Sequence, residues 1–227
     1  MTGLGDERRR QFITTLSAAG VALVGGAATI AIGCDRAGSG EAEVTPGEDL
    51  MQEHGVLERV LLIYDEACRR IESGEAVDSA PIKSAAGIVR RFVEDYHEKH
   101  EEEFVFPRLE KAKREVELVA TLRRQHQRGR ELTDEIVRRA DAGANRELSD
   151  RLHAFARMYR PHAAREDTVL FPAFREVVGA HGYHELGEAF EEKEHELFGE
   201  HGFEDIVAEV AKLETALGIA DLARFTP

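Results

Sequence analysis

The stretch that decides the fold is His97-Glu-Lys-His-Glu-Glu-Glu-Phe-Val-Phe-Pro107. It returns 65 residues later as His162-Ala-Ala-Arg-Glu-Asp-Thr-Val-Leu-Phe-Pro172. A histidine, a glutamate four residues on, an apolar residue and a closing Phe-Pro recur in both copies. Residues i and i+4 of a helix lie one above the other on the same face. Each copy therefore offers an imidazole and a carboxylate, His97 with Glu101 and His162 with Glu166, to one point in space.

The sequence around the two copies reads as helix throughout. Leu50, His54, Leu57, Leu61, Tyr64 and Cys68 are spaced by fours and threes, and Ser73-Gly74 closes that element. A second helix opens at Ser79-Ala80-Pro81, with Ala86, Val89, Val93, His97, Glu101 and Phe104 inward. Pro107 is expected to end or kink it. A third runs from about Arg114 to Asp141, with Val119, Leu122, His126, Gly129, Thr133 and Ile136 inward. The fourth covers roughly Leu148 to Val178, with Phe155, Tyr159, His162, Glu166 and Val169 inward and a kink expected at Pro161. Long helices on short loops predict an all-α fold, an antiparallel four-helix bundle over residues 50–178. Residues 179–227 add two shorter amphipathic helices that are expected to cap it. No strand signal is present.

The inward polar residues repeat as His54, then His97 with Glu101; and His126, then His162 with Glu166. The gaps between the paired histidines are 43 and 36 residues, each one helix-loop-helix hairpin. A lone histidine on an apolar face is usually a satisfied core residue. A glutamate on the same stripe is different, because an ionised carboxylate buried without a partner is costly. No Lys or Arg in these stripes is placed to pair with both glutamates. Four histidines and two glutamates at mid-stripe need a shared solution, and a pair of divalent cations supplies one. The set contains no thiolate, which suits iron or manganese better than a soft metal.

These tandem HxxxE and Phe-Pro motifs, from about Leu50 to Val178, resemble the hemerythrin-like HHE cation-binding family, whose members hold a non-haem di-iron centre in a four-helix bundle. The resemblance implies two irons, with His54, His97, His126 and His162 as terminal ligands and Glu101 and Glu166 bridging. It also implies a small diatomic ligand, dioxygen or nitric oxide. Oxygen-carrying hemerythrins have a fifth histidine in an HxxxH pair on the third helix. Here Leu122 and Arg130 stand four residues either side of His126. The set matches instead the subgroup linked to nitric-oxide stress and iron-centre repair, which weighs against simple oxygen carriage. Reduction of peroxide or nitric oxide, and iron storage or repair, are the alternatives to ligand binding.

The other histidines are expected off the centre: His100 partly exposed, His153 away from the site, and His181, His184, His195 and His201 on a solvated face. Tyr96 and Tyr159 flank the ligands, for packing or for hydrogen bonds. Cys68 reads as a small core residue. A net charge of −14 argues against a nucleic-acid partner.

Arg8-Arg9-Arg10-Gln11-Phe12-Ile13 precedes an uncharged run from Phe12 to Gly33. This resembles a twin-arginine export signal over residues 1–34, with Ala31-Ile32-Gly33-Cys34 resembling a lipobox. Simple cleavage nearby and an uncleaved anchor are alternatives. The protein is expected in the periplasm or on the outer face of the cytoplasmic membrane, touching the membrane only through this segment. Residues 35–49 read as a flexible tether.

Overall fold

The computed structural model describes residues 44–227; the export-type segment, Cys34 and most of the expected tether lie outside the described residues. Every regular element among the described residues is helical. None of these helices is long and apolar enough to cross a membrane.

Helix α1 (Pro46–Ser73) begins four residues ahead of Leu50. Thr45 is the cause: its side chain accepts from the Glu48 amide while the Glu48 carboxylate accepts from the Thr45 amide, with Pro46 opening the helix. Gly74, left-handed at φ 75°, ends it.

The second arm spans residues 80–112 without the expected break at Pro107. It comprises α2 (Ala80–Ile88), a π-helical segment Val89–His97, α3 (Glu98–His100), a π turn Glu101–Val105 and α4 (Phe106–Ala112). At the π turn the Phe106 amide reaches back five residues to the Glu101 carbonyl. Pro107 then falls in the first turn of α4, where a missing N–H costs nothing. The fourth arm repeats the device. Helix α6 (Arg146–Arg165), capped by Asn145, stays α-helical through Pro161 and passes into a π turn Glu166–Leu170. Helix α7 (Phe171–Phe198) follows with Pro172 in its first turn and breaks at Gly179 (φ 74°, ψ 168°). Between the arms lies α5 (Val116–Asp141), entered through a tight turn with Lys113 and Glu115 in left-handed backbone.

The π turns change which residues face inward. A π turn takes more residues per turn, so the position three after each glutamate turns away from the glutamate's face while the position four after stays on it. Val105 and Leu170 are fully buried, whereas Phe104 and Val169, inward by α-helical counting, are only partly so.

Helix α1 packs on α6, α6 on α5, α5 on α2, and the second arm on α1. Helix α8 (Gly202–Leu217) does not cross an end of this group. It lies along α1 and α2, burying Ile206, Val210 and Leu217, with a two-pronged Arg59–Glu214 ion pair at 2.8 and 2.6 Å. The buried apolar residues form two clusters. The larger holds Val56–Cys68, Ile82–Tyr96, Leu132–Ala140 and Leu148–Tyr159 positions. The smaller holds Leu50, Val105, Phe106, Leu109, Val119, Leu122, Leu170 and Phe171. On every arm the boundary between the clusters falls at His54, His97–Glu101, His126 or His162–Glu166.

Candidate metal centre

That boundary is a buried polar layer. His54 is 6% exposed, His97 and His162 3%, and His126, Glu101 and Glu166 0%. All six residues from the sequence pattern meet there. Each histidine turns Nε2 inward: His54 to Glu166 at 3.4 Å, His162 to Glu166 at 3.0 Å, His126 to Glu101 at 3.3 Å and to Glu166 at 3.9 Å, and His97 to Glu101 at 3.7 Å. Donor atoms of Glu101, His126, His162 and Glu166 lie within 4.8 Å of one another, and so do those of His54, His97 and Glu101. Glu101 belongs to both groups, and Glu166 reaches a histidine of each.

The outward nitrogens follow a rule that sequence reading missed. The Nδ1 of His97 faces Glu53 at 2.6 Å, that of His126 faces Glu102 at 3.1 Å, that of His162 faces Gln125 at 2.9 Å and that of His54 faces Asp167 at 2.7 Å. Every one of these partners is the immediate chain neighbour of an inward residue on the preceding arm: Glu53 of His54, Glu102 of Glu101, Gln125 of His126, Asp167 of Glu166. Adjacent helical residues point about 100° apart. One aims at the centre while its neighbour reaches the next helix, so the four arms hold one another's histidines in a closed ring. A polar residue beside each candidate ligand was the available signal. By accepting at Nδ1, these partners fix the tautomer that leaves Nε2 free to bind a cation.

Protons stand where cations would. Burial and the neighbouring Glu166 charge push Glu101 well above the carboxylate range. Burial would also raise Glu166, but His162 and His54 outweigh it and hold Glu166 well below. Burial tends to lower His54, yet Asp167 and Glu166 prevail and lift it to about 9. Burial pushes His126 down to about 4 despite Glu102, and burial with the His54 charge depresses His97 further. The pattern sets a neutral acid at Glu101, an anion at Glu166 and an imidazolium at His54 against the neutral imidazoles of His97 and His126. Even so, both oxygens of Glu101 and of Glu166, and Nε2 of His97 and His126, have no hydrogen-bond partner. Buried donors left so are costly, and this nitrogen and oxygen set fits divalent cations of the iron and manganese kind. Cys68 is remote, its thiol directed to the Ser149 carbonyl.

A polar chain leads away from the layer. Tyr159, its ring 5.3 Å from that of His162, donates to Glu98 at 2.6 Å; Arg130 pairs with Glu98 at 2.7 Å and Glu102 at 2.8 Å. His100 is buried rather than partly exposed. It stacks on Phe190 at 4.5 Å beside Tyr96, and neither ring nitrogen has a hydrogen-bond partner. His153 is exposed and pairs with Glu72, and His181 is exposed beside Glu185. Among the described residues, no cation-holding group includes a histidine beyond Leu170.

A helical protein with a buried His/Glu layer of this kind is a cation-binding protein. Residues 45–174 match the family described as the hemerythrin HHE cation binding domain, and the chain belongs to that family. It is 47% identical over 193 residues to the uncharacterized protein Rv1995 of Mycobacterium tuberculosis, covering 82% of this chain and 76% of that protein. The uncharacterized protein Mb2018 of Mycobacterium bovis is similar to the same degree. No solved structure matches.

Proposed function

We propose that this chain is a non-haem di-iron protein, built as an antiparallel four-helix bundle, that binds dioxygen or nitric oxide at a His4Glu2 centre. His54 and His97 would hold one iron and His126 and His162 the other, with Glu101 and Glu166 available to both. The observation that carries this reading is a set of four carboxylate oxygens and two imidazole nitrogens, buried in one layer without hydrogen bonds and turned toward one another. The closed ring of outer partners, each arm reaching the next, supports the bundle order. Iron bound there supplies Lewis acidity and a one-electron couple.

The chain's own residues do the rest. The four Nδ1 contacts orient the rings, and Phe171 and Phe106, stacked on His54 and His126 at 5.7 and 5.4 Å, keep water from the layer. Six protein ligands are few for two cations of this kind, which would leave room for a small molecule to bind. The N-terminal segment is proposed to carry the protein to the cell envelope, as its paired arginines suggest.

The test is metal analysis after iron reconstitution, with optical spectra in air and without it. Two irons per chain and an oxygen-dependent charge-transfer band, lost when oxygen is removed, are expected. Less than one iron per chain sinks the reading. A second reading, reduction of peroxide or nitric oxide, is favoured by the Tyr159–Glu98–Arg130–Glu102 chain, which joins the layer to half-exposed groups. It expects turnover with an electron donor, slowed in Tyr159→Phe at unchanged iron content.

A further inference from the structure

We infer that the two cation positions are unequal, and that the outer partners of the histidines, Gln125 above all, set the difference. The inference rests on the two-cation reading above. Both histidines of the first position are backed by carboxylates, His54 by Asp167 at 2.7 Å and His97 by Glu53 at 2.6 Å. The second position is backed differently. His162 leans on the amide oxygen of Gln125 at 2.9 Å. His126 leans on Glu102 at 3.1 Å, and that carboxylate is shared with Arg130 at 2.8 Å and Lys99 at 2.7 Å.

A carboxylate accepting from Nδ1–H draws the proton outward and leaves Nε2 a stronger donor. An amide oxygen, uncharged, does so less, and a carboxylate already held by two cations lies between. Glu101 and Glu166 serve both positions, so they do not offset the contrast. The small differences in inward distance do not either, because inward side chains close on an ion while the outer contacts are anchored on neighbouring helices. The His54/His97 position is the tight one. The His126/His162 position is the weaker and the more readily exchanged.

The experiment is calorimetric titration of the demetallated full chain with Co(II), followed in parallel by its visible absorption. The wild-type chain is expected to take two ions in two resolved steps. Gln125→Glu should tighten the weaker step by about tenfold and leave the stronger step in place, since outer partners of ligating histidines are worth ~10–100-fold in affinity. Asp167→Asn, at a side chain 34% exposed and so tolerant of substitution, should weaken the stronger step by a similar factor. Two ions bound with equal affinity overturn the inference, as does a Gln125→Glu change spread evenly over both steps. Fewer than two ions per wild-type chain overturns the two-cation reading itself, a result the stoichiometry alone distinguishes. If Gln125→Glu fails to fold, Asp167→Asn decides: weakening of the second step in place of the first overturns the inference.

Discussion

His54 is the residue whose protonation most directly competes with a cation. Its folded value, about 9, lies above the ordinary 6.5, so the folded metal-free chain keeps a proton that the unfolded chain releases. The stability this contributes is fully present below about 6.5 and is lost as pH rises through about 9, up to roughly 3 kcal/mol for a shift of that size. Glu101, raised above the carboxylate range, acts in the same sense. The melting temperature of metal-free protein should therefore fall between pH 6.5 and 9, while the loaded protein, with its proton displaced, should hardly change. Metal uptake at pH 7.5 should release protons, measurable by calorimetry in buffers of different ionisation enthalpy. Glu101→Gln keeps the shape of the protonated acid, so the metal-free variant should melt near wild type while its metal content drops to one ion or fewer. The six inward residues were legible in the sequence because a buried carboxylate on an apolar stripe has few explanations. Glu53, Glu102, Gln125 and Asp167 were legible only as polar neighbours of those residues, because a polar residue on a helix flank looks like an ordinary solvated one until the next helix is in place.

At the scale of elements, the helices followed from periodicity and caps, but the behaviour of Phe-Pro did not. A proline after a helical run usually marks an end. Here each proline sits just after a π turn that begins at Glu101 or Glu166, and the arm continues. Pro107→Ala restores an N–H and lets the turn relax toward α-helix, which would turn Phe104 back toward the face of Glu101 and repack the residues behind it. Stability should change by less than about 1 kcal/mol, the scale of one surface hydrogen bond, while cation affinity falls; circular dichroism melts and metal titration would separate the two effects. The contact between α5 and α6 carries a second prediction. A Cβ on Gly129 would lie 1.9 Å from the Tyr159 hydroxyl oxygen and 2.7 Å from its Cζ. Alanine normally favours a helix over glycine by ~1 kcal/mol, yet Gly129→Ala should destabilise by roughly 2–4 kcal/mol through overpacking and loss of the Tyr159–Glu98 bond. Adding Tyr159→Phe should recover only part of that loss, since the ring carbons still collide. Gly129 looked like an ordinary stripe position in sequence, for nothing local names the tyrosine facing it.

Across the whole molecule, the polar layer divides a large apolar cluster from a small one, and the division decides what metal removal does. The larger cluster draws on α1, α2, α5, α6 and α8 and contains none of the six inward residues. It should hold the chain folded without metal, unlike small domains that depend on a cation to fold. The smaller cluster lies beyond the layer and is built from residues that follow the glutamates in both π turns, Val105, Phe106, Leu170 and Phe171 among them. Its order depends on Glu101 and Glu166 being drawn together, since in the metal-free state their oxygens lack hydrogen bonds and face only the inward histidines. Chelation should thus leave the helical circular dichroism signal nearly intact and lower the melting temperature. A site occupied at a thousand times its Kd contributes ~4 kcal/mol, and ~2–4 °C per kcal/mol is usual at this chain length, so the expected drop is about 8–16 °C per ion. Hydrogen exchange gives the spatial test. Amides in 101–109 and 166–174 should lose protection on chelation, while those in 56–68, 82–93 and 132–156 keep theirs. Loss spread uniformly over both sets would mean that the layer is the keystone of the whole fold, and that the larger cluster does not stand without it.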